Sequence, residues 1–517
     1  RGRSPTCTAD GPRQISRLLP RMLLDIQNRG QLAAGMTTFN PQRSALLRTR
    51  RDVGTVTEVF RLNHRAKCEN LMRHLAAPAA IGHVRYATCG QDDRSYAQPF
   101  ERPHIHKRKW FSFCFNGQLA NYSLLKERLL TDGDHHLSLG TDTEIILHEF
   151  GRILSEAPDR VQWIDVLRQA CSQFDGAYSL AALTAEGEMV IARDPLGMKP
   201  MCYVYEGPLF AAASESVALI NLGFGPEQIR SLAPGHAIIV DPETGMRIER
   251  FAEPKNPRHC FFEWIYFANV ASTLDDRSVY LTRTNLGREL AEAERQFQRV
   301  DLEDEDTIIV PVPDTSKAAA DSMAYELSIP CREGLIRNRY AGRTFIEGGQ
   351  ARKAKAAAKY TPLQEVLRGK KVILVEDSIV RSTTMNALLD RIRHVGGAKE
   401  IHVRVACPPI VAPCFYGIDM STVDQLIAPK YFGLDGRLTD ENQQDLADDL
   451  GADSLRYLPV SAISRALQLP AENLCQACVT GDYPTPVGQQ LYQISVEHRG
   501  DPDIGTRMYE RLARINS

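Results

Sequence analysis

The sequence predicts two successive domains, an α+β sandwich of helices and antiparallel sheets followed by an α/β domain with a mainly parallel sheet. Three observations predict this order. The chain has 517 residues, which is too long for one ordinary hydrophobic core. Short apolar segments broken by Gly, Pro and Asp fill residues 81–240. Beyond residue 257, strand-like runs alternate with amphipathic helical stretches.

The first domain is predicted from two kinds of periodicity. Segments 177–183, 189–192 and 236–240 are short and apolar and end at turn residues, which is typical of antiparallel strands. Segments 15–24 and 144–154 instead repeat apolar residues every three or four positions, which predicts helices. Helices packed on antiparallel layers form an α+β sandwich.

The second domain is predicted from segments 307–312, 371–375 and 400–406, which are continuous apolar runs typical of buried parallel strands. Helical stretches separate them, so we expect helices on both faces of the sheet. Prolines at 253–257 mark the boundary. The predicted domains are therefore 1–255 and 256–493, followed by a charged, helical tail at 494–517.

The composition excludes several classes of function. The 62 basic residues nearly balance the 64 acidic residues, which leaves no electrostatic footprint for nucleic acid or an anionic membrane. We find no apolar run long enough to span a bilayer and no signal segment, so the prediction is a soluble, cytoplasmic protein. The 12 cysteines are then expected to be reduced thiols, metal ligands or catalytic groups.

One segment has the arrangement of a phosphate site. The strand at 371–375 leads directly into Glu376, Asp377 and Ser378, and a helical pattern follows. Ligands bind at such strand ends in open α/β sheets, and a helix N-terminus favours an anion. Hydroxyl groups of Thr383 and Thr384 add donors, while the two carboxylates suit ribose hydroxyls or Mg²⁺. An acidic strand end without a ligand remains an equal alternative for this loop alone.

The longer segment resembles the phosphoribosyl pyrophosphate loop of type I phosphoribosyltransferases, and in particular that of the amidophosphoribosyltransferase family. The resemblance implies that the substrate is bound by Glu376, Asp377, Ser378, Arg381, Ser382, Thr383 and Thr384. Two positions depart from the family pattern. Glu376 replaces an aspartate, and Ser382 replaces a glycine, which would cost roughly 1 kcal/mol if that position requires a positive φ.

Two further segments extend this resemblance. Residues 313–316 resemble the pyrophosphate-side loop, in which Thr315 would face magnesium together with Glu376 and Asp377. Residues 338–345 resemble the flexible lid of the family, in which Arg339 and Arg343 would neutralise the departing pyrophosphate. Cations also follow at Arg352, Lys353, Lys355 and Lys359, although such a run is more often a solvated helix face.

The N-terminal half carries five segments in the order of class II glutamine amidotransferases: 27–31, 82–86, 115–118, 141–144 and 193–197. This resemblance implies an αββα sandwich of the N-terminal-nucleophile hydrolase type. Arg85 would pair with the glutamine α-carboxylate and Asp142 with its α-ammonium, and Asn116 with the Gly117 N–H would form an oxyanion hole. Taken singly, these residues also fit a surface ion pair, a helix cap and a hairpin turn.

The nucleophile of that family is an N-terminal cysteine followed by glycine. No such start is present, and Cys7 is followed by threonine and lies close to Gln27. We therefore expect the strand with the nucleophile to lie upstream of Arg1. As given, the chain is expected to use ammonia alone.

Four cysteines have the spacing of a metal site: Cys260, Cys414, Cys475 and Cys478. A C-x-x-C pair with two distant cysteines suits zinc or a four-iron cluster. The positions match the ligands of the iron–sulfur branch of the amidophosphoribosyltransferase family, which implies a structural [4Fe–4S] cluster.

The combined resemblance implies amination of phosphoribosyl pyrophosphate to 5-phosphoribosylamine, with release of glutamate and pyrophosphate, at the start of purine synthesis. It also implies Mg²⁺, an internal ammonia channel, homo-oligomers and inhibition by purine nucleotides. Two alternatives stay open. One is a phosphoribosyltransferase with a non-catalytic glutamine-sensing domain, and the other is a non-catalytic nucleotide-binding regulator.

Overall fold

A computed structural model describes residues 12–86, 93–131, 136–157, 162–338, 359–420 and 422–499. Several residues singled out above lie outside these ranges: Cys7, Arg339, Arg343, Arg352, Lys353, Lys355 and the tail beyond residue 499.

The first half contains twelve strands within the described ranges. They are β1 Ala33–Phe39, β2 Leu47–Val53, β3 Ala79–Arg85, β4 Phe100–Arg102, β5 Phe111–Leu119, β6 Gly176–Thr184, β7 Met189–Arg193, β8 Cys202–Glu206, β9 Leu209–Ala213, β10 Arg230–Ser231, β11 His236–Asp241 and β12 Gly245–Arg250. Its helices are α1 Leu19–Asp25, α2 Val56–Val59, α3 Arg65–Leu75, α4 Tyr122–Thr131, α5 Asp142–Glu156, α6 Trp163–Cys171 and α7 Val217–Ile220.

These strands form two stacked layers. One layer is a six-stranded antiparallel sheet in the order β12-β11-β7-β6-β5-β4. The other consists of two three-stranded sheets, β2-β1-β3 and β10-β8-β9. Phe39 and Ile81 pack on Cys114 and Leu183 between the layers. The predicted strands at 177–183, 189–192 and 236–240 are confirmed as β6, β7 and β11.

Helices cover the outer faces of the two layers, because their aromatic and aliphatic side chains are buried against the strands. Phe150 of α5 and Trp163 of α6 meet Phe111 of β5 at ring-centroid distances of 6.2 and 5.2 Å. Burial of large aromatic side chains with edge-to-face contacts is a strong source of stability. On the other side, Leu23 of α1 packs on Met36 of β1. The predicted αββα sandwich is confirmed.

The second half is built from shorter strands and longer helices. The strands are β13 His259–Cys260, β14 Thr273–Leu274, β15 Arg277–Ser278, β16 Thr307–Pro311, β17 Leu335–Arg337, β18 Tyr360–Pro362, β19 Lys371–Glu376, β20 Glu400–Val405, β21 Ser454–Tyr457 and β22 Leu474–Cys475. The helices are α8 Val279–Phe297, α9 Lys317–Leu327, α10 Gln364–Leu367, α11 Ser382–His394, α12 Pro429–Phe432, α13 Asp440–Leu450, α14 Val460–Leu467, α15 Ala477–Thr480 and α16 Pro486–Glu497.

The centre of this half is a parallel sheet in the order β16-β19-β20-β21. Ile309 of β16, Ile373 of β19 and Val403 of β20 are fully buried, which explains why these strands are continuous apolar runs in the sequence. Helices α8, α9 and α14 pack together, as do α11 and α13. The predicted α/β class with a parallel sheet is confirmed.

The two halves share a buried interface. Arg193 donates to both carboxylate oxygens of Asp275 at 2.6 and 2.8 Å. Phe415 and Leu491, which follow the parallel sheet in sequence, join the apolar core of the first half. The C-terminal segment therefore packs back onto the first domain. No helix in the described ranges is long and apolar enough to cross a membrane.

Candidate active sites

A cavity of about 100 Å³ in the first half brings together the four residues predicted to handle glutamine. Arg85, Asn116, Gly117 and Asp142 all line it. Arg85 ends β3, Asn116 and Gly117 lie in β5, and Asp142 begins α5. Three separate elements thus converge on one cavity of amino-acid size.

The local environments of these residues differ from the simpler alternatives. Arg85 is only 6 % exposed and stacks on Tyr96, with 5.4 Å from Cζ to the ring centroid, so it is not a surface residue. The cap of α5 is Thr141, whose hydroxyl accepts from the Glu144 N–H at 3.3 Å, and not Asp142. Asn116 and Gly117 pair with β6 inside a strand and form no hairpin turn.

Polar atoms of this cavity are arranged to receive a ligand. Within the described part of the chain, the buried Nδ2 of Asn116 has no hydrogen-bond acceptor. A buried donor without a partner is costly unless a ligand supplies one. Gly117 has φ of +151°, and a Cβ there would lie 1.9 Å from the Ala177 carbonyl oxygen. Only glycine fits this position.

The strand that carries Asn116 is fixed by Gln98. The amide of Gln98 accepts from the Phe115 N–H at 2.7 Å and donates to the Phe115 carbonyl at 3.2 Å. His83 also lines the cavity. Burial, and then the charge of Arg85, lowers the pKa of His83 to about 4. The imidazole is therefore neutral near neutral pH. The cationic side chains of the described lining are Arg85 and Arg29, and Arg29 is paired with Glu215 and Glu263.

An apolar groove of about 490 Å³ opens into this cavity. Its walls include β3 and β9, which are each the outer strand of a three-stranded sheet. Ile26, His83 and Asn116 line both the groove and the glutamine cavity. The groove therefore leads between two strand edges to the predicted oxyanion donors.

The second cavity, of about 160 Å³, lies at the carboxyl edge of the parallel sheet. It is lined by Glu376, Asp377, Ser378, Arg381, Thr383 and Thr384. Strand β19 ends at Glu376, and α11 begins at Ser382. The loop between them lies where α/β sheets bind ligands, at a helix N-terminus suited to phosphate.

The acidic pair is strongly perturbed. Burial, followed by repulsion from Asp377, raises the pKa of Glu376 well above its ordinary value. Burial likewise raises the pKa of Asp377, against hydrogen bonds from Ser378 and Thr315. Ser378 Oγ lies 2.6 Å from Asp377 Oδ1. Two crowded carboxylates of this kind favour a cation or hydroxyl donors between them.

Thr315 reaches the acidic pair from the neighbouring strand. It follows β16, which pairs with β19, and residues 313–316 connect β16 to α9. Its hydroxyl hydrogen-bonds to Asp377. The predicted pyrophosphate-side loop and phosphate loop therefore lie side by side.

Two predicted residues of the phosphate loop have a contact or a position that the sequence did not predict. Arg381 Nη2 donates to Gln425 Oε1 at 2.6 Å. Ser382 is the first residue of α11 and is not among the residues with positive φ, so its backbone carries no strain. The side chain of Ser382 is also not part of the cavity wall.

The two cavities share a wall. Tyr86 and Phe267 line both of them, with their rings edge to face at 6.0 Å. Gly417 lines the first cavity, and the next two residues, Ile418 and Asp419, line the second. Two aromatic side chains and the chain segment at residues 417–419 thus separate the two sites.

The four cysteines with metal spacing surround a third cavity. Cys260, Cys414, Cys475 and Cys478 line a small, mostly apolar hollow of about 20 Å³. Cys260 and Cys475 are directly paired in the parallel strands β13 and β22. The Tyr416 N–H donates to Cys414 Sγ at 3.4 Å. Among the residues that the structure describes, no three His, Cys, Asp or Glu side chains form a site for a single metal ion.

Comparison with known proteins agrees with this geometry. Residues 83–221 match the model of the glutamine amidotransferase domain, and residues 280–410 match that of the phosphoribosyl transferase domain. An amidophosphoribosyltransferase of Methanothermobacter thermautotrophicus is 36% identical over 472 residues, which cover 91% of each chain. The chain belongs to the amidophosphoribosyltransferase family.

Other members of the amidophosphoribosyltransferase family are similar over nearly the same length. The Bacillus subtilis enzyme is 34% identical over 472 residues, covering 90% of this chain and 91% of its own. The solved structure of glutamine phosphoribosylpyrophosphate amidotransferase from B. subtilis with ADP and GMP superposes with a TM-score of 0.76 at 33% identity, covering 91% of this chain and 95% of that one. A structure described as the allosteric regulatory enzyme of purine biosynthesis gives 0.77 at 32%, with 92% and 94% covered.

Sequence reasoning missed the residues that support the two sites of this amidophosphoribosyltransferase family member. Gln98, Tyr96 and Phe267 lie outside every motif quoted above. Each acts through a neighbour distant in sequence, such as Phe115, Arg85 or Tyr86. No local pattern marks such contacts.

Proposed function

We propose that this protein aminates phosphoribosyl pyrophosphate to 5-phosphoribosylamine with release of pyrophosphate, as its relatives' name indicates. One observation carries the proposal. A cavity lined by Arg85, Asn116 and Asp142 and a cavity lined by Glu376 and Asp377 share the wall formed by Tyr86 and Phe267. Nitrogen released in one site would need to cross only that wall to reach the other.

In the transferase cavity, Glu376, Asp377 and Thr315 are proposed to hold Mg²⁺. Their donor set of two carboxylates and a hydroxyl is hard oxygen, which this ion prefers. The ion would supply charge stabilisation to the departing pyrophosphate. Ser378, Arg381, Thr383 and Thr384 would bind the 5-phosphate and orient the ribose with their side chains, and Ser382 would contribute its backbone N–H at the helix N-terminus. Arg339 and Arg343 would add positive charge from the lid.

In the glutamine cavity, Arg85 is proposed to bind the α-carboxylate and Asp142 the α-ammonium. The carboxylate of Asp142 is already oriented by the N–H groups of Leu119 and Thr143, at 3.3 and 3.0 Å. Asn116 Nδ2 and the Gly117 N–H would then stabilise the oxyanion of the side-chain amide. The alternative of a glutamine-sensing domain uses the same contacts without hydrolysis.

The apolar groove supports a proposal for the position of the nucleophile. We propose that it seats an additional β-strand between β3 and β9, whose leading Cys-Gly end lies against Asn116. A strand there would pair with both open edges and join the two small sheets into one.

A synthetic Cys-Gly-Ile peptide added in trans tests this proposal. We expect it to confer glutamine hydrolysis on the chain and on the Cys7→Ser variant alike, whereas a Ser-Gly-Ile peptide does not. Hydrolysis by the chain alone that Cys7→Ser abolishes would overturn the proposal.

We propose that the four cysteines bind a [4Fe–4S] cluster. Each cysteine of such a cluster binds a different iron, which spaces the sulfur atoms further apart than around one zinc ion. Four thiols around one apolar hollow fit that arrangement. Iron and sulfide analysis with visible spectra of anaerobically purified protein tests the assignment. Cys414→Ser should lose iron, and the buried control Cys202→Ala should keep it. Stoichiometric zinc without a brown chromophore would contradict it.

Ammonia-driven pyrophosphate release with Mg²⁺ tests the whole function. We expect turnover that depends on phosphoribosyl pyrophosphate, ammonia and magnesium. Binding of substrate or nucleotide by a folded protein that releases no pyrophosphate would instead favour the regulator.

Four further features concern the whole protein: the domain boundary, inhibition, location and assembly. We propose the domain boundary near residue 255, because residues 251–258 between β12 and β13 form neither helix nor strand. We also propose inhibition by purine nucleotides, which the complex of the B. subtilis relative with ADP and GMP supports. Cytoplasmic location remains a prediction from the sequence, and homo-oligomeric assembly remains an expectation from the family resemblance.

A further inference from the structure

The wall of the cysteine cavity contains a buried lysine. Lys199 is 2% exposed and lines the hollow beside Cys260 and Cys414. Its backbone is fixed, because its N–H donates to Asp194 at 3.0 Å and its carbonyl accepts from Arg193 at 2.7 Å. Lysine is almost never fully buried without a partner for its charge. The identity of that partner therefore matters.

The nearest carboxylate satisfies Lys199 only in part. Glu263 Oε1 lies 3.5 Å from the ammonium, whereas Glu263 Oε2 lies 2.6 Å from Arg29 Nη2. Arg29 in turn contacts Glu215 at 2.8 Å. Glu263 is therefore shared between Lys199 and Arg29. Lys199 also lines the hollow that the four cysteines surround.

An anion in the cavity would complete this arrangement. Four thiolates outweigh the positive charge of a four-iron core, so the ligated cluster is anionic and becomes more so on reduction. Of the described residues that line the hollow, Lys199 alone has a cationic side chain. Its ammonium is therefore the group of that lining that can balance an anionic cluster.

We propose that Lys199 is the counter-cation of the iron–sulfur cluster and holds its reduction potential above the value that the cysteines alone would set. This inference rests on the proposed cluster. Lys199 stabilises the reduced, more negative state more than the oxidised state, and it does so at short range in a dry cavity. Glu263 has the opposite effect, since it is the competing anion.

Two variants of opposite charge test this role. Lys199→Met keeps the length of the side chain, and Glu263 retains Arg29 as its partner. Its cluster should have a lower reduction potential than the wild type. Glu263→Gln removes the competing anion and should raise the potential. Structural loosening alone would not move the two variants in opposite directions.

Arg258→Met is the matched control. Arg258 is only partly buried and lines a separate hollow that also contains Cys475, and water screens the charge of such a partly exposed side chain. Reductive titrations of anaerobically purified proteins, followed optically, should show a smaller shift for Arg258→Met than for Lys199→Met. Equal potentials for Lys199→Met and wild type would overturn the proposal, as would shifts of the same sign for Lys199→Met and Glu263→Gln. Wild-type protein without iron and sulfide would refute the cluster itself, a result distinct from an unchanged potential.

Discussion

The glutamine cavity and the phosphate loop are built in contrasting ways. The first draws Arg85, Asn116 and Asp142 from separate strands and a helix, each held by buried neighbours. The second takes most of its residues from one continuous loop between β19 and α11. The first site therefore depends on tertiary packing, whereas the second depends on the local geometry of a strand end.

This difference predicts which kind of substitution each site tolerates least. A change in backbone shape should disturb the glutamine cavity by destabilising the fold, since its residues lie in packed strands and a packed helix. A change in charge at the phosphate loop should instead reduce activity without unfolding the protein, since its carboxylates crowd together at the end of a strand that the sheet already fixes. The following experiments separate these two kinds of sensitivity.

Gly117→Ala should have the largest effect, a loss of about 4 kcal/mol or more in the free energy of unfolding. The new methyl group would meet the Ala177 carbonyl at 1.9 Å. Gly207→Ala is the control, because it also has a positive φ but no atom within 4 Å of the added Cβ. It should cost about 1 kcal/mol. Equal losses in chemical denaturation would show that the close approach at Gly117 does not matter.

Asp377→Asn should reduce kcat/KM for ammonia-dependent pyrophosphate release by ~10²–10³-fold while leaving the unfolding midpoint nearly unchanged. Removing one of two crowded carboxylates weakens magnesium and ribose binding and relieves repulsion in the fold. Asp390→Asn on α11, whose side chain is 70% exposed, should have wild-type activity. An active Asp377→Asn enzyme would place the metal elsewhere.

Arg85→Met should weaken glutamine binding by ~30–100-fold in calorimetric titration, because a charge-assisted contact contributes about 2–3 kcal/mol. The exposed Arg73→Met on α3 serves as the matched control and should bind normally. Ammonia-dependent transfer should be unaffected in both. Unchanged glutamine affinity in Arg85→Met would remove this residue from the site.

His83 predicts a pH-dependent loss of stability. Its pKa is lowered to about 4 in the folded protein, whereas in the unfolded chain it is about 6.5. Only the unfolded state binds the proton between these values, so the free energy of unfolding falls as the pH decreases from about 6.5 to 4, by roughly 3 kcal/mol. His83→Gln should show a shallower slope in that window. Equal pH dependence of the unfolding free energy in the wild type and His83→Gln would mean that His83 is protonated in the folded protein as readily as in the unfolded chain.

Ser382→Gly should have the smallest effect, a loss of about 0.5–1 kcal/mol in stability with little change in the KM for phosphoribosyl pyrophosphate. Ser382 is the first residue of α11, and its backbone φ is not positive. A clear gain in stability or substrate affinity would indicate that the loop needs glycine when the substrate is bound.

The sequence predicts the phosphate loop more completely than the glutamine cavity, because local patterns mark the former and distant contacts form the latter. Strand β19 and its acidic end are visible locally, because a buried parallel strand is a continuous apolar run. The class of both domains follows from such periodicity. The convergence of Arg85 and Asp142 is not visible locally and was inferred from the order of motifs. The supports Gln98 and Phe267, the shared wall and the position of Lys199 depend on contacts between distant segments, which no single-sequence pattern encodes.

The most direct test of the account is the stoichiometry of one reaction, with phosphoribosyl pyrophosphate, ammonia and Mg²⁺ supplied and both products quantified. We predict pyrophosphate and trapped phosphoribosylamine in equal amounts, neither forming without ammonia or magnesium. Tight substrate binding without release of pyrophosphate, or release that is independent of ammonia, would contradict the assignment of this protein as a working amidophosphoribosyltransferase.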